Sequence, residues 1–386
     1  MRVVYTMSAN TTWESFNLTE NLTRGIYRFG FEKPTPIQQM AISPIIQGKD
    51  VVAQAQSGTG KTGSFTIGSL QQIDLASRTT QILILAPTFE LVKQISSVVV
   101  SLGSAMEGLV IKTLVGGTSV SDDARDLNMN CPHVVVGTAG RVYDMIRRRN
   151  LLTGSIKLFV LDEADEMLSK GFKEQIYDIF KHFSDNVQVA LFSATLPDDI
   201  LTLSAKFMRD PVHITLKPEE LTLECIQQFY VSMTDDKAKY ETLKDLFSFL
   251  QLSQCIIYVN TVKRVEDLYG AMTADGFPVC CIHSGMEKAQ REASLTKFRN
   301  GAFRVLVSSG VTARGIDVQQ VSTVINFDMN RNIETYLHAI GRSGRFGRKG
   351  LAINFITRYD TEFMGKLEEH YKISIKELPA DFANLI

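Results

Sequence analysis

Short runs of β-branched and other apolar residues recur along the chain, each closed by a turn signal and followed by a stretch with helical spacing. In the first half they cover residues 50–55, 81–86, 109–114, 133–138, 157–162 and 187–193. In the second half they cover 255–260, 278–283, 303–308, 321–328 and 351–356. Runs such as LFVLD (158–162) and CIIYVN (255–260) are apolar nearly throughout instead of alternating. Continuous apolar runs suit strands of a parallel sheet with helices over both faces. Regular alternation of strand and helix then predicts an α/β fold with right-handed crossovers.

Between the halves the rhythm breaks, where MRDP (208–211) and KPEE (217–220) bring two prolines and a charged run. We read residues 214–224 as a linker between domains spanning 1–213 and 225–386. The length of 386 residues agrees, being more than one core of ordinary size takes up. The halves share no motif, and a phosphate loop occurs in the first alone.

Composition narrows the class. A hydrophobic share of 44% and a charged share of 22% describe a soluble globular protein. With 41 Lys+Arg against 42 Asp+Glu, the net charge is -1, so bulk basicity is excluded as a source of nucleic-acid affinity. Any such surface has to come from local placement of basic groups and backbone N–H. The five cysteines (Cys131, Cys225, Cys255, Cys280 and Cys281) contain no C-x-x-C, which fits buried thiols in a reducing compartment. No apolar stretch is long enough to span a bilayer, and residues 1–12 lack an apolar signal core. A cytosolic or nuclear protein is the expectation.

The chemistry begins at AQSGTGKT (55–62), between the strand DVVAQ and a helix-compatible run. A Gly-rich turn of this kind (Ala55, Ser57, Gly58, Thr59, Gly60) aims backbone N–H groups and a helix N terminus at phosphate oxygens. Lys61 would reach the β- and γ-phosphates of ATP, and the Thr62 hydroxyl would ligate Mg²⁺. Ala55 stands where the general pattern has glycine. In LFVLDEAD (158–165), Asp162 ends a buried strand and would hold Mg²⁺, while Glu163 would orient or deprotonate a water. Taken alone, the same acids describe the first turn of a capped helix.

Six motifs in order make the pattern specific: GFEKPTPIQ (30–38), AQSGTGKT, DEAD (162–165), SAT (193–195), ARGID (313–317) and HAIGRSGR (338–345). Together they resemble the DEAD-box RNA helicases over nearly the whole chain. Stretches such as GFKEQIYDIF (171–180) and GRFGRKG (344–350) are most similar to the translation initiation factor 4A group of that family. The resemblance implies two RecA-like domains, each a mostly parallel sheet covered by helices on both faces. It implies that Gln38 reads the adenine edge, with Phe31 stacked on the ring and Trp13 supporting the motif from upstream. Ser193, Thr195 and His338 would couple the nucleotide site to RNA. From the second domain, Asp317 would bind ribose, and Arg342 and Arg345 would act as arginine fingers on the γ-phosphate.

On the RNA side the resemblance assigns Pro87, Thr88 and Glu90, the pair Gly116 and Gly117, then Thr138, Gly140 and Arg141. In the second half it assigns Arg291, Ser309 and Arg314. Contacts of this kind grip phosphate and 2′-OH groups without reading sequence. Five positions depart from the family pattern: Phe89 for Arg in PTRELA, Ala139 for Pro in TPGR, Lys288 for Gln, Gly310 for an acid, and Ala339 for the first Arg of HRIGR. Either neighbours absorb these changes, or ATP binding is kept while RNA coupling is weakened. On the second view, returning Phe89 and Ala339 to Arg should raise RNA stimulation of ATP hydrolysis.

The implied function is an RNA-dependent ATPase that unwinds short duplexes, acting in translation initiation on mRNA leaders. The alternatives are an ATP-gated RNA clamp or a partner-regulated scaffold in mRNA or ribosomal RNA processing. The resemblance further implies a cytoplasmic monomer, with a nuclear location as the other option, working with a scaffold of the initiation factor 4G type.

Overall fold

A computed structural model turns each of the eleven apolar runs into a strand. The structure describes residues 11–56, 58–169, 171–216, 226–249, 254–310, 321–330, 332–343 and 350–379. The chain divides into two compact units, Met1–Glu220 and Leu221–Ile386.

The first unit holds β1 (Val51–Gln54), β2 (Ile82–Leu85), β3 (Ile111–Leu114), β4 (Val134–Gly137), β5 (Leu158–Asp162), β6 (Gln188–Ser193) and β7 (Val212–Thr215). These form one sheet in the order β3-β4-β2-β5-β6-β1-β7, with every neighbouring pair parallel. Because side chains alternate along a strand, Ile82 and Ile84 enter one apolar cluster while Leu83 and Leu85 enter the other. Phe159 and Leu161 share the second face, Leu158 and Val160 the first. Burial on both faces is what makes these strands read as unbroken apolar runs.

The second unit repeats the plan with β8 (Ile226–Ser232), β9 (Cys255–Tyr258), β10 (Val279–Ile282), β11 (Val305–Ser308), β12 (Thr323–Asn326), β13 (Gly350–Ile356) and β14 (Lys376–Glu377). Its order is β10-β11-β9-β12-β13-β8-β14, again parallel throughout. Among the described residues no helix is long and apolar enough to cross a membrane.

Three strands have no counterpart in the apolar pattern: β7, β8 and β14. Strand β7 pairs only with β1 and buries only Ile214 of its four residues. It occupies the start of the stretch expected as linker, and residues 217–224 lie outside the described ones. Strand β8 carries Gln227 and Gln228, and the Gln228 side chain accepts a hydrogen bond from the Tyr336 hydroxyl at 2.7 Å. Polar residues satisfied by tertiary partners hide a strand from any hydropathy reading.

The strand order matters for function because ligand sites in such sheets open at the C-terminal strand ends. In the first sheet the loops after β3, β4 and β2 lie side by side, and those after β5, β6 and β1 continue the same edge.

Candidate nucleotide site and nucleic-acid face

Strand β1 delivers the phosphate loop. The Ala55 N–H donates to the Ser193 carbonyl at 3.0 Å, extending the β1–β6 ladder by one bond. The Ala55 methyl is buried in the apolar core, so the missing glycine is absorbed by packing. Gly60 then caps the helix Lys61–Gln71 from a left-handed conformation. Lys61 is buried, and its Nζ has no hydrogen-bond partner among the described residues. A buried ammonium in that position is costly until an anion reaches it, and the N–H groups of the same helix terminus favour that anion. The loop therefore fits a phosphate group. Gly58 and Thr59 complete the turn, the Thr59 hydroxyl donating to the Gln56 carbonyl at 2.6 Å. Ser57 lies outside the described residues.

Above this loop sits an aromatic and amide wall. Thr35 caps the helix Pro36–Ile46, and Oε1 of Gln38 accepts from the Thr35 N–H at 2.8 Å in a capping box. The other end of the same amide, Nε2, donates to the Gly60 carbonyl at 3.4 Å, which ties the two motifs together. The indole N–H of Trp13 donates to the Phe31 carbonyl at 3.0 Å, and the two rings stack at 6.1 Å. Gly63 makes this close approach feasible. A Cβ there would lie 2.6 Å from Gln38 Nε2 and 3.0 Å from Phe31 Cε2.

Strand β5 brings in the acids. Asp162 is buried at its end, and Glu163 follows in a left-handed conformation at φ 50°, opening the short helix Ala164–Met167. A non-glycine residue in that region is strained, and such strain gathers at functional sites. Burial and then the charge of Glu163 push the Asp162 carboxyl up to about 7, against the opposing pull of Lys61. A divalent cation would reverse that balance, and the hard oxygens of Asp162 and Thr62 suit Mg²⁺. The SAT turn after β6 joins the acids directly: Thr195 Oγ1 donates to Asp165 Oδ2 at 2.7 Å, and the Thr195 N–H donates to Ser193 Oγ at 3.3 Å.

The loops after β2, β3 and β4 form the neighbouring face. Thr88 caps the helix Phe89–Leu102, its Oγ1 accepting from the Leu91 N–H at 3.3 Å. Pro87 and Glu90 are buried and shape that turn from within. Gly116, Gly117 and Gly140 are exposed, and Thr138 is half-buried. The Arg141 guanidinium is not turned outward to meet a phosphate. It is buried, pairs with Asp123, and donates to the Thr118 hydroxyl at 2.7 Å and carbonyl at 2.8 Å. It thereby fastens the loop after β3 to the helix Ala139–Arg147. Ala139 is the first residue of that helix and buried, so the helix starts there without the proline of the family pattern.

In the second unit, Arg342 follows the helix Ile333–Ile340, and its Nε donates to the His338 carbonyl at 3.0 Å. Ala339 is buried in an apolar cluster with Leu295, Phe298 and Val324. Arg291 lies in the first turn of the helix Lys288–Arg299, behind a capping box between Glu287 and Gln290. Ser309 follows β11, and Gly310 takes φ 85°, where an acidic side chain would be strained. Arg314, Asp317 and Arg345 lie outside the described residues.

Residues 35–203 match the DEAD/DEAH box helicase family, and residues 238–347 match the helicase conserved C-terminal domain. Over 374 residues the chain is 54% identical to eukaryotic initiation factor 4A of Drosophila melanogaster, covering 97% of this chain and 92% of that protein. This chain belongs to the DEAD-box helicase family.

Similarity to other members is as broad. The ATP-dependent RNA helicase eIF4A of Phaeosphaeria nodorum is 52% identical over 97% of this chain and 94% of its own. Among solved structures, S. cerevisiae Dbp5 bound to RNA and ADP BeF3 superposes with a TM-score of 0.89 at 30% identity, over 97% of each chain. As a DEAD-box protein this chain uses a nucleotide. The site nevertheless depends on residues to which the motif reading gave no role: Thr35, Gly63, Asp165 and Asp123. Thr35 had a visible signal in T-x-x-Q before an apolar run. Asp123 had none, since its importance lies in its partners Arg141, Lys112 and Thr118.

Proposed function

We propose that this chain is an ATP-dependent RNA helicase that unwinds short RNA duplexes in translation initiation, working in the cytoplasm as a monomer with a scaffold of the initiation factor 4G type. The observation that carries the nucleotide half is the buried Nζ of Lys61, without a hydrogen-bond partner among the described residues, at a helix N terminus beside Asp162. The translation half rests on the 54% identity to an initiation factor 4A over 97% of the chain.

In this reading Gln38 and Phe31 hold the adenine, and Lys61 with the N–H groups of its turn holds the β- and γ-phosphates. Thr62 and Asp162 would hold Mg²⁺, which when bound neutralises charge on the phosphate oxygens. Glu163 accepts a proton from water as the water oxygen bonds to the γ-phosphorus. The bond to the β–γ bridging oxygen breaks, leaving ADP and phosphate. Asp317, Arg342 and Arg345 belong to the second domain, so hydrolysis requires the two domains to close on ATP. Thr195 passes the state of the DEAD acids to the loops that grip RNA, where Thr88, Gly116, Gly117, Thr138, Gly140, Arg291, Ser309 and Arg314 meet phosphates and 2′-OH groups. Arg141 acts there by holding loops in place.

The test is ATPase rate with and without single-stranded RNA at two salt concentrations, in the native chain and in Glu163→Gln. RNA should stimulate turnover, less so at high salt, and the variant should lose turnover while still binding ATP. Unchanged turnover in Glu163→Gln would sink the proposed hydrolysis. A second reading, an ATP-gated clamp with weakened RNA coupling, draws on Phe89 and Lys288. Locking on RNA with a non-hydrolysable ATP analogue, without unwinding, would favour it.

A further inference from the structure

The first unit carries a cavity of about 550 Å³ whose lining belongs neither to the nucleotide site nor to the nucleic-acid face. Residues 173, 176, 177 and 180 follow one another at helical spacing, so the helix Lys173–Phe180 turns Ile176, Tyr177 and Phe180 to it from a single stripe. Phe207 completes the aromatic wall, its ring centroid 5.3 Å from that of Phe180. Phe159 of β5 lies at the base, and Phe183 links it to Phe180 with centroids 5.0 and 5.8 Å away. Leu168, the residue that closes the short helix Ala164–Met167, adds a further side.

The rim of this box is basic. Lys173, Lys181 and Lys206 border it, against the single carboxylate of Glu174. Lys181 is engaged by Asp178 at 3.1 Å and lies 4.3 Å from the centroid of the Tyr177 ring, while Lys173 and Lys206 are exposed. Tyr177 itself is 60% exposed, a large aromatic surface that a ligand in the box would cover. A concave, mostly apolar space of this volume with a few charged groups at its edge has the form of a small-molecule site. Aromatic walls favour flat rings, and the lysines favour negative charge at one end of them. We propose that the box is a regulatory site for a small amphipathic anion, an aromatic carboxylate or sulfonate whose rings fill the box and whose charge meets Lys173 and Lys206. Its base is the strand that ends in Asp162, and Leu168 closes the helix that Glu163 opens. A body wedged there bears on the acids from the side away from ATP. The regulation rests on the reading of the chain as an ATPase, and the binding does not.

The test uses the full chain at saturating ATP, with fluorescence of anilinonaphthalene sulfonate as the anionic probe and phenylnaphthylamine as its neutral counterpart. The anion should bind saturably and more tightly than the neutral compound. Tyr177→Ala should weaken the anion about fivefold, the loss of one aromatic contact. Lys173→Ala combined with Lys206→Ala should weaken it about threefold, as expected for exposed charges, and leave the neutral compound unchanged. Saturating anion should alter ATP turnover of the native chain, and Tyr177→Ala should need more anion for the same response. Without the anion every variant should turn over ATP at the native rate, and thermal melts separate binding effects from misfolding. If both variants melt normally and bind the anion as the native chain does, the probe sits elsewhere and the proposal is wrong. If the lysine changes weaken both compounds equally, the site does not select an anion. If the anion binds the box and turnover stays the same, the regulation is refuted. If the native chain hydrolyses no ATP even without the anion, it is the ATPase reading that fails, and the fluorescence still decides the binding.

Discussion

The hydroxyl of Thr195 donates a 2.7 Å hydrogen bond to Oδ2 of Asp165, joining the turn after β6 to the turn after β5. These motifs lie thirty residues apart in sequence but on adjacent strands of the sheet. Removing the hydroxyl in Thr195→Val leaves a buried carboxylate without that donor, which costs about 1–3 kcal/mol. Unfolding midpoints should fall accordingly, and RNA stimulation of ATP turnover should fall with them. Thr195→Ser should recover both, and failure to recover would assign the effect to shape instead of the bond.

Gly63 offers a cleaner probe of the adenine wall. In a helix, Gly to Ala ordinarily gains about 1 kcal/mol. Here the added Cβ would press on Gln38 Nε2 at 2.6 Å, an amide already held by the Thr35 N–H. Gly63→Ala should therefore leave global stability near native while weakening ATP about tenfold, equivalent to roughly 1.4 kcal/mol. Calorimetric titration with ATP and a parallel urea melt check the two halves separately.

The second unit predicts a pH effect. Burial pushes Asp328 up, but two bonds from Arg264, at 2.6 and 2.8 Å, together with the charges of Lys239 and Arg264, outweigh it and hold the carboxyl below its usual range. Asp236, also bound by Arg264, is lowered too. A depressed folded value means the unfolded chain takes up protons first. Their stabilisation is thus present above the ordinary value near 3.8 and is lost as pH falls through the folded values. Melts between about pH 5 and pH 1 should show a steep acid limb in the native chain. Arg264→Ala should be less stable at neutral pH and show a flatter limb.

Two of the departures from the family pattern should respond in opposite ways to reversal. Ala139 is the first residue of its helix, and Thr138 before it is extended at φ -92° and ψ 145°, a conformation proline tolerates in its predecessor. Ala139→Pro should therefore stabilise by about 0.4–1 kcal/mol. Ala339→Arg forces a long charged chain into the cluster of Leu295, Phe298 and Val324 and should cost about 1–3 kcal/mol. The gain in RNA stimulation expected from restoring arginines falls to Phe89→Arg alone. Denaturant melts of both variants, with ATPase assays of the last, decide the matter.

The sequence by itself determined which segments are strands wherever both faces are buried. An unbroken apolar run such as LFVLD has no other low-energy place. It determined the phosphate loop and the acids as well, because their chemistry is carried by neighbours in the chain. Strands β7, β8 and β14 escaped it, since an edge or a polar strand gains its stability from partners far away in sequence, as Gln228 does from Tyr336. Only the tertiary structure decided that Arg141 turns inward to Asp123, that Ala339 lies in apolar surroundings, and that Thr195 meets Asp165. For Arg141 and Thr195 the deciding quantity is whether a polar group finds a partner once buried. That depends on the order of strands in the sheet, which no single motif contains.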